Sequence, residues 1–489
     1  MQNAKLLNNQ HPRLVIENSV EANFLRKKYP RFIYKKYSYK ISGKNLEIFF
    51  DFLIEPKIKF RPKIVIENID KKQIKEVGDR VLNNLIFHLG LIELLSYWKS
   101  TCSPEIIIKA GFLNSEQIKW WKDLIIQGMG QFFYENKIDF SQPGFLKIIS
   151  KNNKNFKKFS KKLKKDKFLI AMGEGKDSIV TLELLKKKKL YLSCFVVNPN
   201  KIHFKILKKA SITNPIIVER KIDPKLLESN RKGFLNGHTP VTASHSFLAV
   251  FCALLFNFSR VVFSNEKSSD EGNLKYLGKT INHQYSKSSD FEKKFQNYIK
   301  KYLASDIDYF SFLRPLSEIQ IAKIFSKLPQ YFPLFLSCNE AKKTYSGTEK
   351  PTLKWCCKCS KCLFVFTILY PFLEEKQLIK IFGKNLFNDK NLLPIMKELI
   401  GKKGFKPFEC VGTKKETLVA FYLSWKKNRD LVSIKLPFLL EYFEKKILNS
   451  LPRRISSISE KFLRAWNDQQ NLPKKFEKIL KALLLTEIE

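Results

Sequence analysis

The sequence predicts an α/β protein: a parallel sheet flanked by helices, with a small α+β portion before it and a helical region after it. Three observations predict this. Short apolar runs at 168–171, 192–197, 215–218 and 260–263 alternate with helical patterns at 178–189, 200–210 and 240–257. Alternating β and α elements of this kind build a parallel sheet with helices on both faces. Upstream, residues 32–69 alternate as strands, with a turn at Gly43-Lys44, and 72–99 and 115–135 read as amphipathic helices. Downstream, 380–489 reads as helices broken at Gly404, Pro407, Pro452 and Pro473.

These elements divide the 489 residues into an N-terminal α+β domain at 1–150, a linker at 151–167, an α/β domain at 168–379 and a helical C-terminal region at 380–489. Residues 1–30 read as loosely structured. The linker assignment rests on nine Lys and one Asp with few apolar residues. Hydrophobic residues make up 44% of the chain, so large cores are within reach. The balance of 89 Lys+Arg against 46 Asp+Glu leaves a charge of +43, a field that attracts polyanions and phosphorylated substrates. The lysines spread over the whole length, which fits compositional drift better than a nucleic-acid-binding arm. The longest apolar runs, 247–256 and 363–373, fall short of the roughly 20 residues of a membrane span. They read as core segments, and no membrane insertion is expected. Residues 1–14 are polar and lack a signal-peptide pattern, so a cytoplasmic location is expected.

The most informative segment is MGEGKDS at 172–178, directly behind the apolar run 168–171. A strand, a glycine-bearing turn and a helix start together favour an anion, because turn N–H groups and the helix dipole both point at it. The spacing is not that of a Walker loop. The segment resembles the S-G-G-x-D-S loop of pyrophosphate-loop ATP pyrophosphatases, with Gly173 at the Ser position and Glu174 at a Gly position. A carboxylate at 174 is expected to face the polyanion, and to carry strain if the loop needs positive φ there. The strand ends at Asn198-Pro199 and Ser264-Asn265-Glu266 are expected on the same rim, where ligands of parallel sheets bind.

A second cluster is C-x2-C-x2-C through Cys356, Cys359 and Cys362, with Cys338 as the natural fourth ligand. Four thiolates suit a structural Zn²⁺. Cys357 is the spare, and a register shift from Cys356 to Cys357 stays open from spacing alone. A pyrophosphate loop paired with such a cluster resembles 7-cyano-7-deazaguanine synthases, although the 17 residues between Cys338 and Cys356 exceed their gap.

Longer strings carry a more specific resemblance. They are SYWK at 96–99, GMGQF at 128–132, NGHTPVTA at 236–243 and VFSNEKS at 262–268. NHQYSKS at 282–288, LRPLSE at 313–318, KCLFVF at 361–366 and KPFECVG at 406–412 follow in order. Together they resemble the UDP-N-acetyl-α-D-muramoyl-L-alanyl-L-glutamate epimerases, the MurL family, within the pyrophosphate-loop superfamily. The resemblance implies a HUP-like ATPase domain at 168–379 and an isomerase of peptidoglycan synthesis. It further implies that ATP, with Mg²⁺, activates UDP-MurNAc-L-Ala-L-Glu as an acyl-adenylate, releasing AMP, diphosphate and the D-Glu epimer. On this reading Gly173, Gly175, Lys176, Asp177 and Ser178 hold the pyrophosphate, and Arg314 holds a diphosphate or glutamate carboxylate. Asp177 and Glu266 are candidates for Mg²⁺, and Glu266 also for a base. His238 and His283 are the first choices for proton transfer, whereas His245 lies in an apolar helix and reads as structural. The N-terminal domain is expected to contact the UDP-sugar. The competing reading is a tRNA- or nucleobase-modifying pyrophosphate-loop enzyme, motivated by the +43 charge and the cysteines; with no stacking motif in the sequence, nucleic acid is not an expected partner.

Overall fold

The computed structural model describes residues 18–151, 156–164, 166–342, 352–430 and 435–488. Its centre is one sheet of 11 strands. Six come from the first part of the chain: β1 (Arg31–Ser42), β2 (Asn45–Ile54), β3 (Ile58–Phe60), β4 (Lys63–Ile66), β5 (Glu105–Ile108) and β6 (Lys147–Ser150). Five come later: β7 (Lys167–Ala171), β8 (Tyr191–Val197), β9 (Ile216–Lys221), β10 (Arg260–Phe263) and, beyond the small antiparallel ribbon β11 (Leu274–Tyr276) and β12 (Lys279–Ile281), β13 (Asp308–Ser311). The path across the sheet is β13-β10-β7-β8-β9-β4-β2-β1-β5-β6, with β3 on β2. The architecture is therefore mixed α/β with a large, mostly parallel sheet, as the alternating pattern predicts.

The later strands are parallel, from β13 through β9. Their continuous apolar runs follow from burial on both faces. In β7, Phe168 and Ile170 face one core while Leu169 faces the other. Cys194 and Val196 oppose Phe195 in β8 in the same way, and Val262 opposes Val261 and Phe263 in β10. The first core takes the helices Asp79–Glu93, Val241–Leu255 and Ser289–Tyr298. The second takes Lys176–Lys186, Glu318–Ser326, Ser360–Leu369 and Lys414–Arg429. The helix Lys474–Ile488 closes this second face, with Phe476 5.3 Å from Phe168 and 4.8 Å from Phe310, ring centre to ring centre.

The two sequence portions 1–150 and 168–379 share this sheet, because β4 pairs antiparallel with β9 from Lys63↔Lys221 to Ile66↔Val218. In β2 every second residue is buried, the period of a strand with one face on the core. Within 151–167, Phe159 and Leu163 are buried, and Phe159 N–H donates to Leu303 O at 2.8 Å; residues 152–155 and 165 lie outside the described residues.

Several elements differ from expectation. Residues 18–28, read as loose, form the helix Asn18–Lys28; 1–17 lie outside the described residues. That helix is held by tertiary contact, with Ala22 and Leu25 buried and Arg26 donating to Phe145 O at 2.7 Å. The helical stretch 72–99 breaks at Gly78, whose φ of +86° suits glycine. The strands β5, β6 and β13 have four residues each, too few to show a period. Among the described residues, the run Asp79–Trp98 is long and apolar enough to cross a membrane, and 83% of its apolar window is buried inside the protein. Packing against the sheet accounts for its composition.

The strand order places a switch point beside β7. The chain steps outward from β7 to β8 and β9, then returns to β10 and β13 on the other side. Loops that diverge at such a point open a crevice at the carboxyl ends of the strands. The loops after β7 and β10 both end there.

Gly90 tests the packing under this frame. A Cβ at this position would lie 1.9 Å from Tyr34 Oη and 2.8 Å from Phe50. Gly90→Ala is expected to lower stability by about 1–3 kcal/mol through overpacking, read as a shifted urea midpoint.

Candidate active site

The loop after β7 is held from below and from the side. Met172 N–H donates to Phe195 O at 2.9 Å, continuing the β7–β8 ladder by one bond. Ser178 Oγ donates to Gly173 O and Gly175 O, 3.1 Å each. Gly175 stands at the N-cap of the 11-residue helix Lys176–Lys186. Gly173 is exposed, and a Cβ there would meet nothing within 4 Å. The loop thus presents an open backbone at a helix N-terminus, the arrangement that suits an anion.

Glu174 departs from expectation. Its side chain turns inward and is 2% exposed. Its Oε1 accepts from Asn200 Nδ2 and lies 3.2 Å from His203 Nδ1. Its carbonyl accepts from Leu336 N–H at 2.8 Å. No residue of 173–175 has a left-handed backbone. The carboxylate therefore neither faces the open side of the loop nor carries strain; it ties the loop to the helix Lys201–Lys209 that follows β8.

Lys176 is also buried, and its ammonium contacts Asp177 Oδ1 and Glu318 Oε2. Burial opposes this charge, but the two carboxylates outweigh it and raise the Lys176 pKa above the ordinary lysine value. Burial, then the Asp177 carboxylate, pushes Glu318 up to about 7 against the pull of Lys176 and Lys361. Lys361 Nζ lies 3.9 Å from Glu318 Oε1 and donates to the carbonyl of Cys410. Asp177 is lowered: burial opposes its charge, and Lys176 and Lys361 more than compensate.

On the other side of the crevice, Glu266 follows β10 and its Oε1 accepts from Ser268 Oγ at 2.8 Å. The rings of His238 and His283 are 4.5 Å apart, centre to centre. Burial, then His283, Lys99 and Lys287, holds His238 well below the ordinary histidine pKa, so its imidazole rests neutral. Asn273 fixes the turn that carries His283: its Oδ1 accepts from His283 N–H at 2.7 Å, and its Nδ2 donates to Lys406 O and Pro407 O. Lys287 Nζ lies 3.1 Å from Cys410 Sγ. Its raised pKa has Cys410, Glu266 and Asp177 among its causes, all working against burial. Along this rim Lys287 is the link: its charge acts on Asp177 of the loop and on His238, and Cys410 and Glu266 act on it in turn.

Arg314 sits beneath that rim, not on it. It is fully buried, and its Nη1 donates to Glu266 O and Ser269 Oγ, 2.8 Å each. Its Nη2 reaches Lys287 O and lies 3.1 Å from Glu292 Oε2. A guanidinium engaged in this way braces the loops that carry Glu266 and Lys287, in place of the expected contact with a diphosphate or carboxylate. His245 is held down to about 4 by burial, then by Arg220 and Lys287. Lys287, Glu318 and Cys410 have no expected role in the sequence, and Lys361 is expected only to offset thiolate charge at the cysteine cluster. All four lie inside the polar strings that mark the resemblance, and only the fold shows them meeting.

The cysteine cluster lies at the start of the helix Ser360–Leu369. The sulfurs of Cys338, Cys356, Cys359 and Cys362 lie within 4.8 Å of one another. The 338–359, 356–362 and 359–362 separations are 4.0, 3.7 and 3.5 Å. A tetrahedron with Zn–S bonds of about 2.3 Å has edges of about 3.8 Å, so this donor set fits zinc. Cys357 turns away at φ +58°, and its Sγ donates to Phe382 O at 3.0 Å. The register left open by spacing thus falls on Cys356.

Two family descriptions match the chain: the MurL N-terminal domain over residues 23–312 and the MurL C-terminal domain over 334–436. The chain belongs to the MurL family. Three relatives carry the name UDP-N-acetyl-alpha-D-muramoyl-L-alanyl-L-glutamate epimerase. The protein from Xanthomonas oryzae pv. oryzae is 32% identical over 346 residues, 70% of this chain and 75% of the relative. Those from Micromonospora sp. and Salinispora tropica are each 41% identical over 255 residues, 52% of this chain. The match spans 56% and 55% of those two relatives, just over half their length. Epimerases are isomerases, and the MurL matches cover both the glycine loop at 172–178 and the cysteine cluster.

Two outcomes follow from this geometry. Glu318 keeps its proton up to about 7 in the folded chain, against an ordinary value of 4.5. Folding then takes up a proton between those values, and the contribution is lost as pH rises through 7. Stability should fall with pH across this window by at most about 1.4 kcal/mol per unit. Glu318→Gln should flatten that slope, read by urea unfolding at pH 5 and pH 7. With Zn²⁺ added, Cys356→Ser should also bind less zinc than the unaltered protein while Cys357→Ser binds as much, measured by elemental analysis after dialysis.

Proposed function

We propose that this MurL-family chain epimerises the terminal L-Glu of UDP-MurNAc-L-Ala-L-Glu to D-Glu at the expense of ATP, in the cytoplasm, for peptidoglycan synthesis. What supports the reading is an open glycine loop at the switch point beside β7, with a neutral His238 and its neighbour His283 linked to it through the charge of Lys287. The names of the relatives support the substrate and favour this reaction over nucleobase modification.

The chemistry needs both parts. The α-proton of a free carboxylate is hard to remove, because the carbanion forms beside a negative charge. Joining the α-carboxylate to AMP cancels that charge, and an ordinary base then suffices. Gly173 and Gly175 would receive the departing diphosphate on backbone N–H groups, with Ser178 keeping the loop in shape. Lys176 adds positive charge beneath the loop, and Asp177 and Glu318 keep it in place. Mg²⁺ would be held by Asp177 and Glu266, usually through water, and would neutralise phosphate charge. His238, resting neutral, is equipped to accept a proton, and His283 stands against it. Hydrolysis of the activated carboxyl then frees the D-epimer.

The five parallel strands and the loop after β7 are read as the pyrophosphate-loop, HUP-like domain within 168–379. The portion 1–150 would contact the UDP-sugar, with 151–167 as the link and 380–489 as the helical cover. Cys338, Cys356, Cys359 and Cys362 would hold a structural Zn²⁺. That ion would pin the start of the helix bearing Lys361.

Incubation with UDP-MurNAc-L-Ala-L-Glu and ATP is expected to yield AMP, diphosphate and D-Glu after hydrolysis and chiral separation. Lys176→Ala should slow AMP release by about 10²-fold or more, the scale of losing one preorganised charge contact. AMP formation with another acceptor and none with this one would refute the reading.

A further inference from the structure

Cys410 stands apart from the zinc-type cluster and is half-buried. Two groups of the 282–288 string converge on its sulfur. Lys287 Nζ is 3.1 Å away and His283 Nε2 is 4.0 Å away. The other ring nitrogen of His283, Nδ1, donates to Gln131 Oε1 from the helix Gly130–Glu135. A hydrogen bond at Nδ1 fixes the tautomer that leaves Nε2 as an acceptor toward the thiol. The Cys410 carbonyl is held by Lys361, and Asn273 ties residues 406 and 407 to the His283 turn. A thiol paired with an imidazole that a third group orients, beside an ammonium, is an arrangement for reactivity. Burial pushes the thiol of Cys102 up to about 11 and that of Cys194 up to about 12, and such thiols are inert.

We propose that Cys410 is a catalytic residue that removes the α-proton of the activated glutamyl group, with His283 as its activating partner and Lys287 as its counter-charge. This rests on the epimerase reading given above. His283 Nε2 takes the thiol proton, leaving a thiolate beside the Lys287 ammonium. The thiolate then takes the proton from Cα. The C–H bond breaks, an S–H bond forms, and the electron pair passes into the activated carbonyl as an enolate. Water gives a proton to the opposite face of Cα, restoring a C–H bond with inverted configuration. The hydroxide left behind takes the proton from the His283 imidazolium, which returns every group to its starting state. The site is well placed for this: Lys361 bridges the Cys410 carbonyl to Glu318, and Glu318 holds the Lys176 of the loop.

The test separates activation from proton transfer. Exchange of labelled diphosphate into ATP, in the presence of UDP-MurNAc-L-Ala-L-Glu, reads activation and folding. Uptake of solvent deuterium at the glutamyl Cα reads proton removal. Cys410→Ser is expected to keep exchange within about threefold while deuterium uptake falls by about 10²-fold or more. Uptake within about threefold of the unaltered protein would overturn the proposal, as would a hydroxylamine-sensitive glutamyl adduct on Cys410. Iodoacetamide at pH 7 gives a second measurement that needs no variant of the cysteine. Cys410 should be alkylated ahead of Cys102 and Cys194, and about tenfold more slowly in Lys287→Met. Equal rates in the two proteins would count against the assignment. Absence of diphosphate exchange in the unaltered protein would instead refute the proposed activation, and the alkylation would still decide whether the thiol is activated.

Discussion

A lysine ammonium taken out of water must be paired, or its desolvation would destabilise the fold by several kcal/mol. Lys176 is buried at the first position of its helix and finds Asp177 on one side and Glu318 on the other. This pairing joins elements far apart in the chain. Asp177 belongs to the loop's own helix, while Glu318 begins the helix Glu318–Ser326 after β13. Glu416, from the helix Lys414–Arg429, accepts from Ile319 N–H at 2.9 Å, so a third helix is anchored to the same point. Removing any member would leave a charge or a helix terminus without its partner. The glycine loop keeps its place because this charge cluster has one arrangement that satisfies it.

The sheet makes that arrangement possible. Its later strands are buried on both faces, so the strand ends are fixed from two sides by independent cores. Loops leaving β7 and β10 start from rigid positions and reach the same crevice. Arg314 adds a brace under the second loop, joining Glu266, Ser269, Lys287 and Glu292. Its buried charge is offset chiefly by Glu292, with Asp270 and Glu266 adding to the effect against burial.

Much of this was legible in the sequence. The strands β7 to β10 stand out because burial on two faces leaves unbroken apolar runs, and MGEGKDS follows the first of them at once. The cysteine spacing pointed to three of the four clustered sulfurs directly. What could not be read depends on contacts distant in the chain. Strands of four residues show no period, so β5, β6 and β13 were silent, while the equally short β10 was legible only from its place in the alternating α/β pattern. The choice between Cys356 and Cys357 depends on one backbone angle, since a positive φ at Cys357 sends its sulfur to Phe382. Arg314 looks like an anion ligand because arginine before a proline in a polar string fits that role; only its four neighbours show it engaged inside the protein. The meeting of Cys410 with Lys287 and His283 joins positions 123 and 127 residues apart, which no local pattern encodes.

Glu174, which stands where the S-G-G-x-D-S pattern has a glycine, acts as a mooring line. With Asn200 and His203 at one end and Leu336 at the other, it fixes the shape of the loop from inside the protein. A binding segment that is already in form pays little ordering entropy when an anion arrives. The extra side chain thus exchanges the suppleness of glycine for readiness.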